Sequence, residues 1–258
     1  MSELYVEEAG EGPPVVLLHE GIADSRMWEP QWASYAQRYH VVRYDMRGFG
    51  RSPAAVGKFS LTGDLVEILE DRDLGPAVLV GVSLGGAVAL DATVARPELV
   101  SALVLVAPGL RGHDFSDETK AGWAEEEAAL ERGDIDEAVE VNLRMWVDGP
   151  SRSPEDVDPE LRSRVGKMQR RALEIWRDAG EEGEHQPLAE DWGDRLGEIS
   201  VPTLVIVGEL DRPEMHEIAD RLEVEIPNAR RETIPGTAHV PSMERAREFD
   251  RLVLDFLP

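Results

Sequence analysis

Short apolar runs alternate with amphipathic stretches in the first half of the chain, the pattern of βαβ units around a mostly parallel, buried sheet. The apolar runs predict strands at residues 15–18, 41–44, 77–82 and 103–106, and a further strand is predicted at residues 3–8. The amphipathic stretches predict helices at residues 28–39, 61–74 and 84–95. This alternation indicates an α/β fold.

The pattern changes after Gly109. No convincing strand is present from residue 110 to about residue 193, and charged helical stretches occupy residues 116–132, 135–147 and 161–179. The last of these has an apolar face at helical spacing. Its members are Leu161, Val165, Met168, Ala172 and Trp176.

Strand and helix alternation then returns. Strands are predicted at residues 203–207 and 231–234, and helices at residues 214–222 and 241–257. The sequence therefore predicts an α/β core formed by residues 1–109 and 194–258, with a helical insertion at residues 110–193.

Residues 81–85 read Gly-Val-Ser-Leu-Gly and join a predicted buried strand to a predicted helix. In that setting G-x-S-x-G indicates a sharp, strained turn that presents the serine at the carboxyl edge of the sheet. The flanking glycines leave room for the strand and the helix to approach each other, and the helix N-terminus favours developing negative charge. We therefore predict that Ser83 is a nucleophile rather than part of an ordinary βα turn.

A serine nucleophile needs a base, and a histidine base needs a carboxylate to orient it. Of the six histidines, only His239 lies in a short polar loop between a late strand and the last helix, so it is the predicted base. Asp211 follows the strand predicted at residues 203–207 and is the preferred third member. Glu209 and Asp114 are the alternatives.

Composition narrows the function classes. A chain of 258 residues is long enough for one domain with an insertion, and the lack of cysteine excludes disulfide scaffolds, thiol nucleophiles and cysteine-ligated metals. With 27 Lys and Arg against 52 Asp and Glu, the formal charge of −25 argues against nucleic acid and anionic membranes as partners.

The opening residues show no leader pattern and no apolar run approaches roughly 20 residues, so we expect a cytoplasmic protein.

Several segments resemble the α/β-hydrolase superfamily, in particular its serine esterase and enol-lactonase branches. The similar segments are residues 17–21, 27–31, 44–52, 81–85 and 236–239. The resemblance implies a mostly parallel central sheet flanked by helices, with the insertion as a helical cap after the sixth strand. The chain order Ser83, Asp211, His239 is also that of the α/β-hydrolase triad.

The resemblance also implies further site residues. By position, the backbone N–H groups of Gly21 and Leu84 would form the oxyanion hole, with Ile22 as a fallback for the first. Glu20 departs from the family pattern, which commonly has glycine after His19. The adjacent His19 and Glu20 lack the H-E-x-x-H spacing of a metal site, so no metal is predicted.

The sequence thus predicts a cofactor-free serine hydrolase that acts on a small-molecule carboxylic ester or lactone. Ile22, Trp146 and Trp176 are candidates for the substrate pocket. The three tryptophans of the insertion, Trp123, Trp146 and Trp176, also fit a purely structural role in its core. Two alternative functions stay open: C–C bond hydrolysis of diketone-like substrates, and a small-molecule receptor with vestigial hydrolysis. The sequence makes no prediction of the oligomeric state.

Overall fold

The computed structural model describes residues 4–180 and 183–257. Its central sheet has seven strands in the order β1-β3-β2-β5-β6-β8-β9, and only the β1–β3 pair is antiparallel. The seven strands are β1 (Val6–Ala9), β2 (Pro14–Leu18), β3 (His40–Tyr44), β5 (Ala77–Val82), β6 (Val100–Val106), β8 (Thr203–Gly208) and β9 (Ala229–Ile234). Two further strands, β4 (Lys58–Phe59) and β7 (Glu184–His185), form a small parallel pair of their own.

Helices cover both faces of the central sheet. They are α1 (Glu29–Tyr35), α2 (Leu61–Asp71), α3 (Leu84–Ala95), α7 (Pro213–Glu225), α8 (Pro241–Glu244) and α9 (Ala246–Phe256). Successive residues of β2 point to opposite faces, so that Val16 joins the core beneath α2, α3 and α7 while Val15 joins the core beneath α1 and α9. Because both faces of the inner strands are buried, β2, β5, β6 and β8 appear in the sequence as nearly continuous apolar runs, whereas β1 and β9 at the edges are largely polar.

The helical stretch between β6 and β8 consists of α4 (Asp117–Glu131), α5 (Ile135–Asn142) and α6 (Pro159–Ala179). A π-helical segment, Leu143–Asp148, continues α5. The apolar face predicted for α6 is buried except at Trp176, which is 46% exposed. The helical stretch follows β6, which is the sixth strand along the chain when the two-residue strand β4 is counted.

The fold class is confirmed, and the structure differs from the expected elements in several places, among them the unpredicted two-residue strand β4. The helix predicted at residues 28–39 is a 3₁₀ turn at Ser25–Trp28 followed by α1, and the closing helix is divided at Arg245 into α8 and α9. The stretch expected to lack strands contains β7, which at two residues is too short to produce a sequence pattern. No helix within residues 4–180 and 183–257 combines the length and apolar character needed to cross a membrane.

Candidate active site

Ser83 occupies the turn between β5 and α3 with φ 48° and ψ −110°, a conformation that is strained for a residue with a side chain. The glycines of the motif make this turn possible. A Cβ at Gly85 would lie 2.5 Å from the carbonyl oxygen of Leu18, and a Cβ at Gly81 would overlap the backbone of Gly85. The Ser83 N–H donates to the carbonyl oxygen of Val106 at 2.9 Å, which ties the turn to the end of β6.

His239 and Asp211 meet where the loops after β9 and β8 lie side by side. His239 Nδ1 is 2.9 Å from Asp211 Oδ2, and both side chains are at most 2% exposed. The Arg212 N–H donates to the other carboxylate oxygen at 2.8 Å, which fixes the orientation of the carboxylate. With the Nδ1 proton donated to Asp211, Nε2 is the nitrogen left to accept a proton.

The electrostatic surroundings of His239 favour its protonated form. Burial opposes the charged imidazolium, but the charge of Asp211 and its hydrogen bond, together with the charge of Glu20, raise the pKa of His239 above its ordinary value. A base with a raised pKa accepts a proton more readily, so the arrangement suits proton transfer from a hydroxyl group.

The two alternatives to Asp211 have other partners. Glu209 is exposed and accepts a hydrogen bond from the Gly236 N–H at 2.8 Å, which braces the loop that carries His239. Asp114 is exposed and paired with Lys120 Nζ at 2.6 Å, and the hydrogen bond from Lys120 lowers its pKa. Of the three carboxylates weighed from the sequence, the structure brings Asp211 to His239.

The proposed oxyanion donors lie on two adjoining segments. The first hydrogen bond of α3 is donated by the Ala87 N–H to the Ser83 carbonyl oxygen, so the Leu84 N–H at the helix start has no acceptor within the helix. Gly21 lies close to this start, because a Cβ at Gly21 would be 3.9 Å from the Leu84 side chain.

His19 holds the loop that contains Gly21. Its ring Nδ1 lies 2.7 Å from the carbonyl oxygen of Glu20, and its Nε2 accepts the Met46 N–H at 2.9 Å. The carbonyl can only accept, so Nδ1 carries the proton and the ring is neutral, in agreement with burial that lowers the pKa of His19. Both ring nitrogens are occupied, which gives His19 a structural role.

A cavity of about 270 Å³ lies between the strand ends of the sheet and the helices α4, α5 and α6. Six of the residues that line it were singled out from the sequence: Gly21, Ile22, Ser83, Trp146, Trp176 and His239. The Trp146 ring is centred 4.6 Å from the His239 ring. In addition, the backbone N–H of His239 donates to the backbone carbonyl oxygen of Trp146 at 3.3 Å. The cavity is thus bounded by the core and by the helical stretch.

Residues 15–252 match the model of the Alpha/beta hydrolase family. The chain belongs to the α/β-hydrolase family. It is therefore a hydrolase, and the resemblance seen in its motifs is confirmed.

This α/β-hydrolase has relatives with several named activities. It is 29% identical over 264 residues to the pimeloyl-[acyl-carrier protein] methyl ester esterase of Nitrosospira multiformis, covering 98% of this chain and 97% of the relative. It is 27% identical over 266 residues to the 2-hydroxy-6-oxononadienedioate/2-hydroxy-6-oxononatrienedioate hydrolase of Cupriavidus pinatubonensis, covering 98% and 90%. The structure of Est816, an N-acyl homoserine lactone degrading enzyme, matches with a TM-score of 0.76 and 26% identity over 98% of this chain and 96% of that one.

Sequence reasoning missed several cavity residues of this α/β-hydrolase. They are Phe115, Glu126, Asn142, Gln169 and Met215. Asn142 and Gln169 are polar residues that lie, buried, on otherwise apolar sides of α5 and α6. A polar residue within an apolar stripe is therefore the signal that would have marked them.

Proposed function

We propose that this α/β-hydrolase cleaves carboxylic esters or lactones of small molecules through an acyl-enzyme formed on Ser83. The observation that carries the proposal is the strained Ser83 turn in one cavity with His239, whose Nδ1 is 2.9 Å from Asp211. The names of the esterase and lactone-degrading relatives support the same substrate class.

The mechanism follows from the roles that these side chains can take. Ser83 Oγ attacks the acyl carbon while His239 Nε2 takes the hydroxyl proton, and the N–H groups of Gly21 and Leu84 stabilise the oxyanion. When the intermediate collapses, the alcohol oxygen leaves with the proton from His239. Water then attacks the acyl-enzyme with His239 again as base, which releases the acid and restores Ser83.

Asp211 assists His239 throughout this cycle. Its hydrogen bond to Nδ1 keeps the imidazole in the tautomer that presents Nε2 as an acceptor, and its charge stabilises the imidazolium that forms at each proton transfer. The side chains of Asp211 and His239 are buried, so this attraction is weakened less by solvent than it would be at the surface.

C–C bond hydrolysis is the runner-up, because one relative is named as a dienedioate hydrolase. A panel of 4-nitrophenyl esters, γ- and δ-lactones and a vinylogous 1,5-diketone separates the two functions. We expect turnover of esters or lactones with kcat/KM at least roughly tenfold above that of the diketone. Turnover of the diketone alone would assign C–C hydrolysis, and saturable binding without turnover of any member would assign a binding protein.

We also propose that residues 110–193 act as the cap that determines which acyl group fits. Trp176 of α6 lines the cavity and packs edge-on against Phe49 of the core, with ring centroids 5.6 Å apart. A contact of this kind positions the helix over the cavity, and the half-exposed indole forms part of its wall.

Trp176→Ala is therefore expected to change the ratio of kcat/KM between long- and short-chain esters by roughly tenfold, because a wall of the acyl site is removed. Labelling of Ser83 by a small fluorophosphonate should change little. Trp32→Ala is the matched control, since Trp32 is also partly exposed but packs against Arg43 and does not line the cavity. A uniform loss across the ester series with a lower melting temperature would instead make Trp176 a purely structural residue.

A further inference from the structure

The cavity at Ser83 is acidic and rich in indole rings. Two glutamates, Glu20 and Glu126, line it, and among residues 4–180 and 183–257 no lysine or arginine does. Three tryptophans, Trp123, Trp146 and Trp176, contribute the aromatic part of the wall. A negative potential focused by low-dielectric walls attracts cations and repels carboxylates.

The carboxylate of Glu20 is buried without a hydrogen-bond partner in the described part of the chain. The residue is 1% exposed, and neither Oε1 nor Oε2 accepts a hydrogen bond from any group in residues 4–180 and 183–257. His239, whose charge when protonated lowers the pKa of Glu20, donates its Nδ1 proton to Asp211 instead. Leaving a buried carboxylate without hydrogen bonds is unfavourable, so a donor group that enters the cavity and reaches Glu20 would stabilise it.

Two more acceptors line the same cavity. Gln169 is 4% exposed, and its Oε1 likewise accepts no hydrogen bond within the described chain. Glu126 accepts one from Asn142 Nδ2 at 2.6 Å, and burial raises its pKa. The fully buried side-chain atoms of this lining that lack a hydrogen-bond partner in the described residues, Glu20 Oε1 and Oε2 and Gln169 Oε1, are therefore acceptors, which favours a ligand that supplies donors.

We propose that the cavity selects esters or lactones that carry a cationic amine, with Glu20 as the main counter-ion and the indole faces and Glu126 as supporting contacts. An ammonium group supplies the donors that Glu20 and Gln169 lack, and a cation over a tryptophan face gains further attraction. The proposal rests on the ester or lactone function proposed above and specifies its substrates.

Protonation of Glu20 is coupled to such binding. Burial raises the pKa of Glu20 to about 7, against a smaller lowering by the charge of His239. A cation beside the carboxylate favours its ionised form, so binding of the amine is expected to release a proton from the fraction of Glu20 that is protonated near neutral pH.

Matched methyl esters test the selection. Methyl 6-aminohexanoate, methyl heptanoate and monomethyl pimelate place an ammonium, a methyl group and a carboxylate at the same distance from the ester. 2-(Dimethylamino)ethyl butyrate, whose protonated amine keeps one N–H donor, and 3-methylbutyl butyrate repeat the comparison on the alcohol side. For at least one pair we expect kcat/KM of the cationic ester to exceed that of its neutral isostere by roughly tenfold or more, and monomethyl pimelate to be the poorest of its set.

Glu20→Gln should remove most of this preference while retaining the shape of the side chain, and Glu126→Gln should reduce it less. The ratio between paired substrates is the readout, because it cancels any general effect of Glu20 on the neighbouring Gly21. Glu127→Gln, at an exposed residue next to Glu126 in the chain, is the control and should leave the ratio unchanged. A preference in the wild type that persists in Glu20→Gln, or no preference for the cation, overturns the proposal.

Binding without turnover separates this proposal from the function on which it rests. Hexylammonium, hexanol and hexanoate are compared by their effect on the melting temperature of the wild type and of Glu20→Gln. Stabilisation by hexylammonium alone, lost in Glu20→Gln, supports a cation site even if no ester is cleaved. Equal responses to the three compounds contradict the site, even if the neutral esters are good substrates.

Discussion

Ser83→Ala is expected to abolish labelling by a fluorophosphonate probe and to lower kcat for a 4-nitrophenyl ester by roughly 10⁴ or more. The variant removes the only atom proposed to bond to the acyl carbon, while the backbone turn and the cavity keep their shape. Its melting temperature should stay near that of the wild type, because alanine retains the positive φ that serine already adopts.

The control for this experiment is Ser101→Ala, which removes an exposed serine hydroxyl from β6. That variant should keep both labelling and turnover. Retained labelling in Ser83→Ala, or an equal loss in both variants, would contradict the assignment of the nucleophile.

Asp211→Asn is expected to lower kcat by roughly 10³- to 10⁴-fold with little change in fold. An asparagine can donate to Nδ1, and the imidazole would then present a protonated Nε2 that cannot accept the Ser83 proton. Glu209→Gln is the matched control, because Glu209 braces the same loop through Gly236 without contacting His239. A near-normal rate in Asp211→Asn together with an inactive Glu209→Gln would transfer the third role to Glu209.

The pH dependence gives a second readout for Asp211. Activity requires neutral His239, so the rate falls as the pH drops through the pKa of that residue. Because Asp211 raises the pKa of His239, its replacement should move the acid limb of kcat/KM to lower pH. An acid limb that does not move would mean that Asp211 does not act on the titrating base.

Much of this fold could be predicted because its determinants are local. β5 and β8 are buried on every residue, so they appear as unbroken apolar runs. The Ser83 turn was also visible, because only glycine at positions 81 and 85 avoids overlap with the neighbouring backbone. The periodic apolar face of α6 likewise follows from helix geometry alone.

Other features depend on neighbours that are distant in the chain. The strands β4 and β7 pair in the structure although one precedes the helices α4–α6 in the chain and the other follows them. Each strand has only two residues, which is too short to show a strand pattern in the sequence. The meeting of His239 with Asp211, rather than Glu209 or Asp114, depends on how the loops after β8 and β9 lie together. Sequence could rank these carboxylates but could not measure their distances to the imidazole.

Glu20 shows most clearly the difference between what the sequence determines and what depends on the tertiary structure. The sequence by itself determined that a glutamate stands where related chains commonly have glycine, next to a predicted oxyanion donor. Only the tertiary structure decided that this carboxylate is buried, that it accepts no hydrogen bond from residues 4–180 and 183–257, and that Glu20 lines the cavity with Ser83 and Trp146. The physical reason is that residue identity and local backbone preferences are encoded in short segments, whereas desolvation and charge pairing depend on every element packed around a side chain.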